Sequence, residues 1–319
     1  RTSNQTDNTL SGDTLTEAIS YRLKADSVRG LSSHLSNQFN LLVESRTDET
    51  EYSDERRTND SIAVGYGISF SESLNSQVGL RFNNNNEFSD SFGFSAALNY
   101  ITNGGARVHG SAGQATVYPI SLESEFSDVD IEINRGFDIG IELPIVSGRG
   151  ILDFNYFKES LIDKIVYPNP YTLTAYNLDG ESDRQGVEVK SSFAVTDALD
   201  VDLSYTHTDA KTADGAREAR RPMNELGLVA IWQLANTTTT FSGSIRHVRG
   251  LYDNKNWVED APQIKLQDFT VVSLSGQHAF SDALDFTVRI NNVLDEHYQE
   301  VAGYATRGRA AFFGVRMKW

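Results

Sequence analysis

Six histidines are the first residues to weigh for chemistry: His34, His109, His207, His247, His278 and His297. None stands at metal-ligand spacing from another, and the near neighbours His207 and Asp209 read as a solvated loop mouth. With no cysteine in 319 residues, disulfides, thiol catalysis and cysteine-metal sites are excluded. There is no Gly-x-Ser-x-Gly, no glycine-rich phosphate loop and no Ser/His/Asp set at usable spacing, so the chain reads as a non-enzyme that needs no cofactor. What remains is binding. The stretch from Asp48 to Glu55 offers Asp48, Glu49, Glu51, Asp54 and Glu55 as hard oxygen ligands for Ca²⁺. It lacks the order and the glycine of an EF-hand loop, and its plainer reading is an acidic solvated loop. Arg217, Arg220 and Arg221 crowd one connection and could meet an anionic ligand, or merely keep the loop soluble. Tyr167, Tyr171, Tyr176, Tyr252 and Trp257 fall in long connections, where they suit a ligand mouth or an interfacial girdle equally.

Lys plus Arg number 28 against 44 Asp plus Glu, a formal net charge of -16. That balance argues against nucleic acid, whose phosphates need a basic surface. No stretch of 18 apolar residues exists, so no helix crosses a membrane. Mean hydropathy is negative, which does not exclude a transmembrane β-barrel, because only every second residue of its strands faces lipid.

Period two runs along the chain. Ile62, Val64, Tyr66, Ile68 and Phe70 alternate with Ala63, Gly65, Gly67 and Ser69; Phe92, Phe94, Ala96, Leu98 and Tyr100 alternate with Gly93, Ser95, Ala97 and Asn99. The same pattern recurs at Phe137–Leu143, Val187–Phe193, Leu199–Tyr205, Leu284–Asn291 and Ala311–Trp319. Only Leu226–Gln233 departs, with Val229 and Ile231 on its second face. About fifteen strands follow, starting near residues 14, 34, 60, 74, 91, 106, 134, 150, 184, 199, 223, 239, 267, 284 and 309. Their connections alternate short and long. Short ones such as Ser71–Ser73, Thr196–Ala198 and Ser281–Ala283 repeat a Ser/Thr-acid-small-Leu pattern; long ones include Ser45–Asn59, Glu159–Asp183, His207–Pro222 and Arg249–Leu266. Strict alternation puts all tight turns at one end of the strands and all long loops at the other, as in outer-membrane barrels and unlike a Greek-key sandwich. An antiparallel barrel closes only on an even number of strands, and an open edge is not tolerated in hydrocarbon. An earlier strand should therefore precede the first of these, and is expected in a part of the protein missing from this chain. Arg1 is not a natural start, and the sequence shows no signal peptide.

The C-terminal stretch reads Phe286-Thr-Val-Arg-Ile-Asn-Asn292-Val-Leu-Asp-Glu-His-Tyr298, then Gly303-Tyr304, then Arg307-Gly308-Arg309-Ala310-Ala311-Phe312-Phe313-Gly314, and ends Lys318-Trp319. It resembles the C-terminus of TonB-dependent receptors, in which Asn-Leu-Phe/Leu-Asp/Asn-x-x-Tyr follows the penultimate strand and a Pro-Gly-Arg-like turn opens a last strand ending in an aromatic. Asn292, Asp295, Tyr298, Gly308, Arg309 and Trp319 fit; Val293 replaces the usual Leu, and Thr306-Arg307 stands where Pro is common. Upstream, Arg135–Glu142, Tyr156-Phe157, Ile162–Ile165, Tyr176-Asn177 and Gly186–Glu188 follow in the family's order, and Leu80–Phe88 is similar to a segment of the vitamin B12 receptor-like subgroup. The family's Asn-Pro-x-Leu-x-Pro-Glu motif is not recognisable before Arg135, where Ser127–Ile133 stands.

The resemblance spans residues 33–319. It implies an all-β fold, residues 1–319 forming part of an antiparallel transmembrane β-barrel of 22 strands with a plugged lumen. Plug, TonB-contacting box and about seven strands are expected on the N-terminal side of this chain, which is not expected to close a native barrel without them. It also implies a Gram-negative outer-membrane location and uptake of a bulky scarce nutrient, a cobalamin or a metal-siderophore. The implied partners are the TonB complex through the plug, lipid and lipopolysaccharide (whose phosphates the three arginines could meet), the small-molecule ligand, and the barrel-assembly machinery reading Phe313, Val315, Met317 and Trp319. A passive porin and a soluble secreted β-protein are the alternatives: the first needs a complete even barrel with no plug, the second solubility without detergent.

Overall fold

The computed structural model describes residues 2–7, 14–28, 36–50, 53–119, 129–166, 175–254 and 262–318. Its strands are β1 (Thr2–Asp7), β2 (Thr14–Val28), β3 (Ser36–Thr50), β4 (Ser53–Ser69), β5 (Leu74–Asn85), β6 (Ser91–Ile101), β7 (Arg107–Val117), β8 (Glu132–Ile145), β9 (Gly150–Val166) and β10 (Tyr176–Thr196). They continue as β11 (Leu199–Lys211), β12 (Asn224–Gln233), β13 (Thr239–Arg249), β14 (Tyr252–Asn254), β15 (Gln263–Lys265), β16 (Phe269–Ser281), β17 (Leu284–Asn291) and β18 (Ala310–Met317). Sixteen of them hydrogen-bond in chain order into one sheet, and β14 with β15 forms a separate ribbon. The chain divides into two compact units. The first holds residues 1–139, 157–183 and 212–215, the second 140–156, 184–211 and 216–319. Strands β8, β9 and β10 contribute to both.

In the first unit, pairing register stacks like with like. Tyr21, Val43, Ile62, Phe82 and Phe92 stand opposite one another across β2 to β6. The next row toward the short turns is Leu23, Leu41, Val64, Leu80 and Phe94; then come Phe39, Tyr66, Val78, Ala96 and Ala112, then Asn37, Ile68, Ser76, Leu98 and Gly110, and last Leu74, Tyr100 and Val108. Large apolar side chains on this face are exposed, Leu23 at 57% and Leu80 at 55%. Rows two residues apart lie about 6.7 Å apart along a strand. Five rows on strands tilted by about 40° therefore span about 20 Å along the normal, near the ~25 Å apolar band of a membrane barrel. A water-soluble sheet would cover such a face with a second layer. The buried apolar residues, among them Leu161, Val166, Val248, Phe269 and Ala302, instead sit toward the long-loop ends of the strands.

The opposite face is polar and partly flat. Gly65, Gly79, Ser95 and Gly113 form one register row across β4 to β7, so four neighbouring strands there carry almost no side chain. In the second unit the exposed apolar face carries Trp232, Phe241, Val288 and Phe313 in one row and Leu274 and Ile290 in the next. Gly276, in the first of these rows, makes room for the Phe241 ring, 3.3 Å from where a Cβ would stand. Val229 and Ile231 lie on the polar side, as their sequence phase requires.

The repeated turns share one device. The hydroxyl of Ser71 accepts N–H bonds from Ser73 and Leu74, that of Thr196 from Ala198, and that of Ser281 from Ala283. Each thereby substitutes for a missing backbone acceptor in a tight connection. At Phe280 a bulge between β16 and β17 turns the ring outward, 71% exposed and edge-on to Phe286.

The fifteen strands expected from alternation are present, and β1 precedes them, paired antiparallel with β2. This strand lies within the chain, not in a missing part of it as expected, in a segment (Thr-Ser-Asn-Gln-Thr-Asp) with no apolar phase to read. The long connections are shorter than expected. The supposed acidic loop Ser45–Asn59 is mostly paired, Asp48 opposite Arg57 and Thr50 opposite Ser53, and Arg249–Leu266 contains the ribbon β14–β15. The reason is physical: beyond the apolar rows both faces are polar, so alternation ends while backbone pairing continues.

Gly150 tests the register of β9 with β10. A Cβ there would strike Phe193 Cβ and stand 2.7 Å from Ser192 O, whereas a Cβ at Gly104 would meet nothing nearer than Thr102 Oγ1 at 3.9 Å. In the full-length protein, Gly150→Ala is expected to lower unfolding stability by about 2–3 kcal/mol, and Gly104→Ala to stay within about 0.5 kcal/mol. Denaturant titration in detergent, read by tryptophan fluorescence, checks both.

Candidate functional site

Toward the long-loop ends each unit gathers polar and aromatic side chains into tied clusters. In the first unit, Glu44, Ser61, Asn83 and Ser91 form a single register row across β3 to β6. Arg81 starts one row nearer the turns, flanked by Ala63 and Gly93, whose small size lets it lie along the sheet. Its guanidinium donates to Ser61 Oγ at 2.7 Å, Glu44 Oε1 at 3.1 Å and Asn83 Oδ1 at 2.8 Å. Asn83 passes the chain to Ser91 Oγ at 2.9 Å, which also accepts from the Tyr118 hydroxyl at 3.0 Å. Burial, ahead of other influences, pushes the Tyr118 phenol up, so it remains a donor. Tyr118 leans on Phe88, whose ring lies 5.6 Å below the Arg57 guanidinium, and Arg57 donates to Pro119 O and to Asp48. Asn85 folds the β5–β6 connection by accepting from the N–H groups of Glu87 and Phe88. Thus the Leu80–Phe88 stretch is a hydrogen-bonded bracket at the rim of a depression of about 970 Å³ lined by Arg22, Asn40, Glu44, Arg46 and Arg81.

In the second unit the centre is Asp253, fully buried in the ribbon. Its carboxylate accepts from Arg220 Nε at 3.0 Å, Ala302 N at 2.7 Å and Asn254 N at 2.9 Å. One side chain so joins three connections: β11–β12, the ribbon, and β17–β18. Around it Val248, Leu251, Leu266, Phe269 and Ala302 make an apolar core. Tyr298 stacks on Phe269 with centroids 4.1 Å apart, and Arg246 lies over the same ring while pairing with Glu225 and Glu300. The neck of the β17–β18 connection is closed by Asn292, which donates to the carbonyls of Glu296 and Arg307 and accepts from Glu296 N. Asp295 accepts from Arg309 N at 2.7 Å, and Gly308 passes so close that a Cβ would stand 2.9 Å from the Asp295 carboxylate.

Of the residues singled out from sequence, Arg217 lies over Tyr252 at 5.7 Å and pairs with Asp209 at 3.4 Å, Arg220 holds Asp253, and Arg221 stands 3.6 Å from Glu218. Glu218 also receives Arg184 through bonds of 2.5 and 2.6 Å. The three arginines therefore meet carboxylates rather than forming a bare cationic patch. Tyr176 opens β10, in the other unit. Asp48 is buried between Arg46 and Arg57, at 3.1 and 3.2 Å; the backbones of Glu49, Asp54 and Glu55 lie in β3 and β4. Among the described residues no group of three or more His, Cys, Asp or Glu could hold a metal. Tyr167, Tyr171, Trp257, Glu51 and Trp319 lie outside the described residues. Phe313, Val315 and Met317 project from β18, 81%, 62% and 65% exposed. Sequence reading missed Asp253, Arg246 and Phe269: a lone Asp and an isolated Phe carry no motif, and only the meeting of three connections reveals them. Among the described residues these clusters offer hydrogen-bond donors, acceptors and ring faces.

A sheet with one exposed apolar face, one polar face and elaborated loop ends is the wall of a transmembrane β-barrel. The chain belongs to the TonB-dependent receptors: a family model described as TonB dependent receptor-like, beta-barrel, matches residues 1–293. The vitamin B12 transporter BtuB of Vibrio cholerae is 26% identical over 248 residues, 75% of this chain and 39% of that protein. The ferripyoverdine receptor of the outer membrane of Pseudomonas aeruginosa has the same fold at a TM-score of 0.70 and 16% identity, covering 95% of this chain and 48% of the receptor. The ferric enterobactin receptor of that organism matches at 0.74 and 11%, covering 95% and 53%. The chain thus spans about two fifths of the length of the curated relatives it matches.

Two measurements probe the ties. Asp253→Ala leaves the Ala302 and Asn254 amides without their acceptor, at a cost of about 2 kcal/mol to local order. Hydrogen exchange at these amides should accelerate about thirtyfold, with β3 to β6 unchanged. Asp295 is held below the usual aspartate value of 3.8 by the Arg309 N–H, with the Arg309 charge adding to the effect. A lowered folded value means that its contribution is complete above the unfolded value and is lost as pH falls through the folded one. The Arg309 amide resonance should therefore titrate with a midpoint below 3.8.

Proposed function

We propose that the whole protein is an outer-membrane TonB-dependent transporter of a Gram-negative bacterium, taking up a bulky scarce nutrient, with a cobalamin as the first ligand class to test and a ferric siderophore the second. The observation that carries this reading is the apolar band of five register rows opposite a polar face bordered by tied loop-side clusters. Such a wall has lipid on one side and a polar interior on the other. Family membership supports active uptake, and the similar proteins are transporters and receptors by name. Cobalamin stands first because of the Leu80–Phe88 stretch and the B12 transporter relative. In this reading Arg217, Arg220, Arg221, Tyr252 and Tyr176, with Tyr167, Tyr171 and Trp257, contribute to the outer ligand surface, and β18 with Phe313, Val315, Met317 and Trp319 engages the assembly machinery.

The full-length gene, expressed in a strain lacking its own B12 receptor, should restore uptake of labelled cyanocobalamin, and a protonophore should abolish it. Arg217→Ala with Tyr252→Ala should weaken binding about tenfold. Uptake that survives the protonophore would make the protein a passive pore, while uptake of ferric siderophores but not cobalamin would move the ligand to the second class.

A further inference from the structure

Just beyond the apolar rows, the exposed face of the second unit changes character in an unusual direction for so acidic a chain. Above the row Leu203, Leu228, Ile245 and Val272 come Tyr205, Leu226, His247 and Thr270, and above these His207, Asn224 and Arg249. Arg249 ends β13 with its side chain 69% exposed, and Lys265 at the end of the ribbon is 51% exposed. Both approach one carboxylate, Asp268, at 3.9 and 3.8 Å. Asp268 is itself fixed by accepting from Gly250 N at 2.9 Å. Two cations thus share one anion through long contacts and leave a net positive charge. The nearby polar side chains are engaged with one another: His247 with Thr270, and His207 and Tyr205 with Asn224. In the first unit the row just beyond the apolar rows is Ile19, Ser45, Asp60 and Asn84, which carries a carboxylate and no cation.

We propose that the exposed face around the loop-side ends of β12, β13 and β16 binds the phosphate of an outer-leaflet lipid headgroup, with Arg249 and Lys265 as its ligands. The proposal rests on the outer-membrane reading, which sets this level against the headgroups. Cations there attract anionic headgroups, an effect that salt screens within about a Debye length. The apolar rows directly below would accept the acyl chains, so one lipid meets charge and hydrocarbon in the order its own structure demands. Arg249 offers a planar fork and Lys265 a mobile point charge, a combination suited to phosphate oxygens. Asp268 holds the two cations together and limits their affinity.

The test uses the detergent-solubilised full-length protein and native mass spectrometry with bisphosphorylated lipid A, its dephosphorylated form, and inorganic phosphate as competitor. Wild type should retain the bisphosphorylated lipid, and Arg249→Gln with Lys265→Gln should lose affinity about tenfold. Asp268→Asn, which keeps an acceptor for Gly250 N but removes the opposing charge, should bind about threefold tighter. Lys190→Gln, a cation that pairs with Glu188 elsewhere, should leave retention unchanged. Equal retention by wild type and the double variant overturns the proposal. So does equal retention of the dephosphorylated lipid, or displacement by inorganic phosphate at comparable concentration, which would make the site a reader of free anions. A separate fractionation shows whether the protein enters the outer membrane at all, so failure of that reading is seen independently. Unchanged heat-modifiable mobility on gels verifies that each variant is folded.

Discussion

Inside hydrocarbon a peptide N–H or C=O without a partner costs several kcal/mol, and no water is present to supply one. A strand meets that demand only through its neighbours, and in this chain each strand from β2 to β17 in the sheet pairs with the sheet strands before and after it. Everything else follows from the resulting two-residue period. One phase must satisfy lipid, so it carries the rows from Tyr21–Phe92 to Leu74–Val108; the other is released from that demand and carries Asn40, Glu44, Arg81 and Asn83. A slip of one residue would put Arg81 into lipid and Leu80 onto the polar side, so register is fixed by the cost of the alternative.

The long connections obey a different rule. Beyond the membrane there is water to satisfy their backbones, and order must be built by side chains. Each unit does this with few atoms. A buried carboxylate, Asp253, collects two backbone amides and a guanidinium from three connections, while Arg81 and Asn83 connect β3 through β6. A charge-assisted hydrogen bond is stronger than a neutral one, which makes a single Asp an economical fastener. Asn292, Asp295, Tyr298 and Gly308 show the same logic in sequence-recognisable form: they form a closed neck, an anchoring ring and the small residue needed where the neck is narrowest.

That contrast explains what was legible in the sequence. Most strands with an apolar phase were readable to within a few residues, because lipid imposes the phase; β4 and β10 begin at Ser53 and Tyr176, well before their expected starts near 60 and 184. β1 was not, since Thr2–Asp7 has no apolar residue; nor were the outer parts of β3 and β4, where Asp48 and Arg57 face each other above the band. Arg217 and Tyr252, chosen separately as loop residues, turned out to stack. Asp253 carried no local signal, because its partners are 33 and 49 residues away and nothing in the spacing announces them.

The length of β3 carries one last consequence. Its fifteen residues reach about 50 Å at the strand rise, about 38 Å along the normal at a tilt of about 40°, roughly half as much again as the ~25 Å apolar band. The surplus is a paired ribbon, tied through Arg57 to Phe88 and Pro119. The surplus is thus a stiff palisade whose freedom was surrendered during folding. Under the transport role proposed above, little would be left to freeze when a guest arrived, and contact made there would not be spent on stilling the host.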